Sequence, residues 1–415
     1  MTMDIKKNIF AALAVVAMAA SCDKMDSGSY YGIQIGKPVT ADMPFGYAYA
    51  NETEDSLCFL SYSPWRIELV EGDNSFVTIK GDLTGKAYTI TKYGVEFEEN
   101  KTGKSRYATF RIVDSEDASR ARASFRFRQF ATRQDGSLGN AAEVRTITGS
   151  DGSNISIDYD GKHRPTAISM SAGEMRREIE FSYDERERTV TAKQTKYEFT
   201  YADTLFTLNN LTLEGECIDR FLPGSNMYIF QPRMITGLES AGGYLVNNVD
   251  GRRTNVSQKI GYKGFTNGVY DYSFANGFMI NNTIGDKFVQ AYGFYYNGKG
   301  SLEVDSLHRA DSIGIERIYS DHSHKAEMYK MTYSNIDNRT TTVDVNQLME
   351  GVANCDPFML LSFYKLARQT SIMARAEGKK GTTYVFETST NADGSIKTVA
   401  VSDNRGKTTT YTFGY

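Results

Sequence analysis

Asn154-Ile155-Ser156-Ile157-Asp158-Tyr159, then Asp160-Gly161, then Thr166-Ala167-Ile168-Ser169-Met170 is the stretch whose reading decides the fold. Apolar and polar residues alternate on both sides of a turn dipeptide. A period of two puts successive side chains on opposite faces of a strand, so each run reads as half-buried. Asp-Gly between two such runs is a strong hairpin signal. The pattern recurs downstream, with Glu178-Ile179-Glu180-Phe181-Ser182-Tyr183 turning through Asp184 to Thr189-Val190-Thr191, and with Tyr197 to Tyr201 alternating again. Further turn pairs stand at Asp250-Gly251, Asn267-Gly268, Asn276-Gly277, Asn297-Gly298 and Asp393-Gly394. The expectation for 140–415 is therefore one large, curved antiparallel sheet, a meander or partial barrel. One segment departs from it: residues 357–368 have helical spacing and an almost wholly apolar first half, with Asp356 placed as N-cap and Pro357 at the first position. This predicts one buried helix.

Upstream, residues 41–133 hold shorter runs between turns. Cys58 to Tyr62, Trp65 to Leu69, Phe76 to Ile79, Val95 to Glu98, Tyr107 to Ile112 and Ser124 to Arg128 are strand-like. So many short strands in so little chain predict an Ig-like β-sandwich. The whole chain is thus expected to be all-β.

The first residues have another character. Lys6 and Lys7 precede an apolar stretch from Ile9 to Ala20, which ends at Ala19-Ala20-Ser21-Cys22. A short basic region, a short apolar core and small residues before a cleavage point make 1–21 a secretory signal peptide. Residues 22–40, with Asp23, Asp26, Ser27 and Gly28, read as a polar tether.

Composition narrows the function classes. The chain of 415 residues is 40% hydrophobic and 12% aromatic, with 7 Pro and a formal net charge of −4. That balance excludes long disordered tracts, and it lacks the concentrated basic surface a polyanion binder uses to release counterions, so no nucleic-acid partner is expected. Among the 4 cysteines, Cys58, Cys217 and Cys355 remain if Cys22 is modified, an odd number without metal-ligand spacing; they read as small buried hydrophobes. His322-Ser323-His324 would place two imidazoles on one strand face, but no third ligand is marked. His163 and His308 each stand in charged, turn-like settings and read as solvated. Acidic pairs fall in turns and strand ends, and neither a nucleophile elbow nor a phosphate-cradling loop occurs. No catalytic residue, metal or cofactor is assigned, and the chain is not read as an enzyme.

Aromatic stripes are the remaining candidates for binding. Tyr270, Tyr272 and Phe274 share one strand face, as do Tyr292, Phe294 and Tyr296. Such rings either fill the concave side of the sheet against the helix or offer flat faces to a sugar or an amphipathic ligand. Trp65, the single tryptophan, divides the same way between a sugar platform and sandwich core.

Three resemblances add to this reading. Ala19-Ala20-Ser21-Cys22 resembles the lipobox of bacterial lipoproteins, which implies lipidation of Cys22 and a membrane partner reached through that anchor. Ser63-Pro64-Trp65-Arg66-Ile67, the run Val95 to Asn100, Thr102-Gly103 and Ser105-Arg106 resemble the BACON domain, an Ig-like module of Bacteroidota surface proteins. Phe76 stands where that family usually has a second tryptophan. Val343 to Met349, Asp356-Pro357 and the closing strands Tyr384 to Glu387, Ile396 to Val401 and Thr408 to Phe413 resemble an uncharacterised Bacteroidota lipoprotein domain of porin-like fold. The aromatic end Tyr411 to Tyr415 is similar to the last strand of outer-membrane barrels, but strands as polar as Arg176 to Glu180 lack the lipid-facing apolar side a spanning barrel needs. The resemblances imply an outer-membrane-anchored lipoprotein facing the cell surface or the periplasm. It would be a non-catalytic glycan-binding or surface-interaction protein or, alternatively, a lipid carrier using the concave face of the C-terminal sheet.

Overall fold

The structure is a computed structural model and describes residues 45–61, 63–117, 121–133, 135–184, 189–201, 204–207, 211–222, 225–236, 277–284, 288–295, 309–319, 323–363 and 368–415. The chain divides into two compact units: Met1–Gln134 with Leu138–Asn140 and Asp219–Phe221, and Asp135–Ser137 with Ala141–Ile218 and Leu222–Tyr415.

The first unit holds β1 (Phe45–Ala48), β2 (Glu54–Ser61), β3 (Trp65–Gly72), β4 (Val77–Ile79), β5 (Thr84–Gly85), β6 (Thr89–Phe97), β7 (Arg106–Asp114) and β8 (Ala121–Gln129). They form two sheets, ordered β1-β8-β7-β3-β5 and β2-β6-β4. Sequence alternation explains why these sheets face each other. On β6, Tyr93, Val95 and Phe97 point inward while Lys92, Gly94 and Glu96 are exposed. On β8, Phe125 and Phe127 are buried between half-buried arginines. The inward rings meet across the sandwich, Phe97 against Phe127 with centroids 5.5 Å apart and Phe59 against Trp65 at 4.6 Å. Each fully buried apolar side chain of this size contributes about 1.5–3 kcal/mol, so this cluster holds the unit together.

The Asn-x-Thr-Gly-x-x-Arg run has a structural task here. Buried Asn100 donates through Nδ2 to the carbonyls of Lys104 and Phe130, and its Oδ1 accepts from the backbone N–H and hydroxyl of Thr102. Arg106 Nε donates to Gln129 Oε1, and its guanidinium lies 4.4 Å from the Phe76 ring centroid. Phe76 itself is buried and stacks on Phe97. The motif thus closes a turn and pins β7 to β8.

The second unit contains β9 (Thr146–Gly149), β10 (Asn154–Tyr159), β11 (Pro165–Ala172), β12 (Met175–Asp184), β13 (Thr189–Tyr201), β14 (Thr204–Thr207), β15 (Leu211–Leu222), β16 (Ser225–Thr236), β17 (Gly277–Ile284), β18 (Phe288–Tyr295), β19 (Ser312–Tyr319), β20 (His324–Asp337), β21 (Ser371–Gly378), β22 (Thr383–Thr390), β23 (Ile396–Asp403) and β24 (Thr408–Gly414). All lie in one sheet, ordered β16-β15-β13-β12-β11-β10-β9-β24-β23-β22-β21-β20-β19-β18-β17, with β14 alongside β13. Every pair of known register in it is antiparallel, and most are neighbours in sequence. Two pairs are not such neighbours: β13 pairs with β15 past β14, and β24 pairs with β9, with Phe413 opposite Ile147, which joins the two ends of the unit.

The hairpin at 160 forms, with a connection longer than the dipeptide suggested. Tyr159 pairs with Pro165, and the left-handed residue of the loop is His163 at φ 63°, not Gly161. Asp160 directs this, its Oδ1 accepting the backbone N–H groups of Lys162 and Arg164. His163 is not simply solvated, since its Nδ1 pairs with Glu143 Oε1.

Between β20 and β21 the chain crosses the inner face of the sheet in short turns. There are 3-10 turns at Asn338–Thr340, Val345–Leu348 and Val352–Asn354, and one α-helical turn, α1 (Pro357–Leu360). Aspartates start three of the four: Asp337, Asp344 and Asp356 each accept a backbone N–H of the following turn, and Gly351 precedes the other. The expected N-cap and Pro position of the helix hold, and α1 is buried. Its length is one turn, not 357–368, because Leu361 leaves helical geometry and Ser362 takes φ +60°. Residues 364–367 lie outside the described residues. The segment fills the inner face, with Phe358 and Phe363 packing on Phe181 of β12 at 6.1 and 5.0 Å.

The outer face is polar. On β12, Met175, Arg177, Ile179 and Phe181 are buried, and Arg176, Glu178, Glu180 and Ser182 are exposed. The same holds for Arg375 and Glu377 on β21, Glu387 on β22 and Lys397 on β23. On these four strands charged residues stand on the side that a spanning barrel would turn to lipid.

Candidate functional site

The inner face of the large sheet carries a pocket between β18, β19, β20, β21 and the crossing segment. It is lined by Tyr292, Ile313, Ile315, Arg317, Met331, Glu350 and neighbouring amides. On β19, Ile313, Ile315 and Arg317 share the inward face by alternation. Arg317 is thus a charge where the pattern calls for an apolar residue, and Glu350 of the crossing segment answers it. Their Nη2 and Oε2 atoms lie 2.6 Å apart, with side chains 4% and 9% exposed. The Tyr329 hydroxyl donates to Glu350 Oε1 at 3.3 Å, and the Tyr384 ring lies 5.8 Å from that of Tyr329. Burial, with Glu350 beside it, holds the Tyr329 phenol well above its usual range.

A second inward arginine sits across the interior. Arg177 Nε donates to Gln194 Oε1 at 2.8 Å, and its guanidinium lies 4.3 Å from the Tyr197 ring centroid. Cys355 is a free, buried thiol, pushed well up by burial and by Asp356 beside it. A thiol kept protonated in this way is a poor nucleophile. The pocket space is about 20 Å³, room for about one water. Its polar groups face one another and bind the crossing segment to the sheet wall. Among the described residues, no three of His, Cys, Asp and Glu converge as a metal site would require.

The sequence candidates distribute unevenly. Trp65 is 1% exposed and enclosed in the sandwich, so its ring faces are covered by protein and it is no sugar platform. The cause is its register: it starts β3 on the inward face, with Phe59 at its edge and Gly85 of β5 against the indole. Tyr292 is 3% exposed and points into the pocket, where burial raises its phenol well above the ordinary value. Phe294 lies on β18, but its side chain is outside the described residues, as are Tyr270, Tyr272, Phe274, Tyr296 and Cys22 in full. His322 and His308 fall there too. The inward arginines went unnoticed, although Met175-x-Arg177-x-Ile179 and Ile313-x-Ile315-x-Arg317 carry their signal.

Exposed apolar surface is concentrated elsewhere. Among the described residues, Leu69, Val70, Leu83, Tyr88, Ile90 and Tyr107 are the large hydrophobics open to solvent in the sandwich, and Tyr415 is the one in the other unit.

No family model and no curated protein matches the chain. Among solved structures it is similar to a porin-like protein from Bacteroides vulgatus ATCC 8482, with 9% identity, a TM-score of 0.35, and coverage of 66% of this chain and 98% of that one. A porin-like protein from Bacteroides uniformis ATCC 8492 matches at 9% identity and a TM-score of 0.23, over 89% of this chain and 99% of that one. A Bacteroides ovatus GH5 xyloglucanase, solved with a XXXG heptasaccharide, matches at 15% identity and a TM-score of 0.18, over 24% of this chain and 19% of the enzyme.

Proposed function

We propose that this chain is a non-catalytic, glycan-binding lipoprotein, held at the outer membrane by acyl groups on Cys22. The reading rests on the two faces of the large sheet. Among the described residues its outer side carries charges on β12, β21, β22 and β23, and its inner side is occupied by the crossing segment. A sheet of that kind works as a water-facing scaffold, and attachment to a membrane then falls to the lipobox-like Ala19-Ala20-Ser21-Cys22. The exposed aromatic and aliphatic side chains of the sandwich supply the interaction surface. The lipid-carrier alternative requires a cavity for an acyl chain, and the pocket beside Arg317 and Glu350, about 20 Å³, is too small to be that cavity.

Two experiments test this. Cys22→Ala should abolish acylation and release the protein from membranes; unchanged membrane retention would overturn the anchor. The unlipidated protein should be retarded in gels cast with at least one polysaccharide among starch, xylan, pectin and mucin glycans. Free migration in all of them would sink the glycan reading.

A further inference from the structure

The loop between β4 and β6 ends on Tyr88, whose backbone sits at φ +60° and whose surface is 74% exposed. Bulky residues seldom adopt the left-handed region, and they keep it only where the surroundings enforce it. Here the loop is pinned at several points. Lys80 N–H donates to the Gly94 carbonyl at 2.8 Å, Ile67 N–H to the Leu83 carbonyl at 2.8 Å, and Tyr88 N–H to the Ser61 carbonyl at 2.7 Å. The Tyr93 hydroxyl donates to the Asp82 carbonyl. Gly85 lies so close to the indole that a Cβ there would fall 2.3 Å from Trp65 Cζ2. The buried tryptophan is thus the floor of a fixed loop whose last residue turns a phenol ring to solvent.

We propose that Tyr88 is a stacking platform for a pyranose ring of a polysaccharide. The inference rests on the glycan-binding reading and locates its site on the sandwich. A pyranose has one C–H face that is apolar and a rim of hydroxyls; a flat ring matches the first and short polar side chains match the second. The loop and the start of β6 supply both: Leu83, Tyr88 and the 39% exposed Ile90 stand among exposed Thr84, Lys86 and Thr89. Fixing the loop backbone before binding removes part of an ordering cost.

The test uses the full chain carrying Cys22→Ala, so without acyl groups, in gels containing starch, xylan, pectin or mucin glycans. Tyr88→Phe keeps the ring and should bind as the parent does. Tyr88→Gly removes the ring and suits the left-handed backbone, so its Tm should equal or exceed the parent's while affinity falls about tenfold or more. Binding by the Gly variant within twofold of the parent would overturn the platform while leaving glycan binding intact. Equal loss in the Phe variant would assign recognition to the hydroxyl and overturn stacking. Failure of the parent to bind any of the four glycans would remove the glycan reading and this site with it.

Discussion

Replacing Arg368 with methionine isolates the polar contacts that fasten the crossing segment to itself. The side chain is fully buried, and its Nη1 donates to Ser362 Oγ at 2.8 Å while Nη2 donates to the carbonyls of Asn338 at 2.7 Å and Thr341 at 2.5 Å. Methionine keeps much of the stem volume and removes every donor. A buried acceptor left without a partner costs about 1–3 kcal/mol, and here two carbonyls and a hydroxyl lose theirs. Asp344 also loses a favourable cation, although its carboxyl is already raised by burial and keeps hydrogen bonds from Asn338, Gln347 and the Asn346 backbone. Relief of the guanidinium's own desolvation, which lowers the Arg368 pKa, offsets part of this. Breaking such a buried network costs about 3–5 kcal/mol net. For a unit of this size that is a fall in Tm of roughly 6–20 °C. Far-UV circular dichroism reads the large sheet, and Trp65 fluorescence reads the sandwich alone because the chain has no other tryptophan. The dichroism transition should fall and the fluorescence transition should hold. A change below about 0.5 kcal/mol in the dichroism transition would refute the reasoning, because the donors would then be dispensable.

Other substitutions probe separate points. Gly85→Ala places a methyl 2.3 Å from Trp65 Cζ2 and should destabilise the sandwich by about 1–3 kcal/mol with a red-shifted tryptophan emission; an unmoved spectrum would count against the contact. Asp393 accepts the hydroxyl and the backbone N–H of Ser395, which hold its carboxyl below the usual range. A depressed carboxyl stabilises the fold above its unfolded value of about 3.9 and loses that contribution as pH falls through the folded value. Asp393→Ala should therefore melt below the parent at pH 7, and the difference should close below about pH 4; a difference constant with pH would contradict the charge's part in it.

Local pattern carried most of the strands. The alternating runs at 154–159, 178–183, 384–387 and 408–413 all fall inside strands, because each places apolar side chains on the one face that the crossing segment covers. The ending of α1 escaped, since nothing in Leu361-Ser362 announces a left-handed residue. The meeting of β9 with β24 escaped as well, because no local signal joins residues so far apart. At the candidate site, Arg177 and Arg317 were legible as breaks in an apolar period, whereas their partners Gln194 and Glu350 come from other elements and needed the fold. Trp65 could not be assigned to core or surface without knowing that Gly85 lies on its ring. Tyr88 left even less trace, because exposure and a positive φ are properties of the folded loop.

The pairing of β24 with β9 sets an order of events for folding. Ser150 Oγ accepts the Thr410 N–H across 260 residues of sequence. In an otherwise unstructured chain, closing such a loop costs about 3–4 kcal/mol more than closing a five-residue hairpin. Hairpins on either side of the seam can form as soon as they are synthesised, but β9 keeps an open edge until the final strand arrives. The seam is therefore a late, slow step, and until it closes an unpaired edge can recruit a strand from another chain. Truncation within 408–414 would leave that edge permanently open, so its first symptom should be aggregation rather than a change in any binding surface.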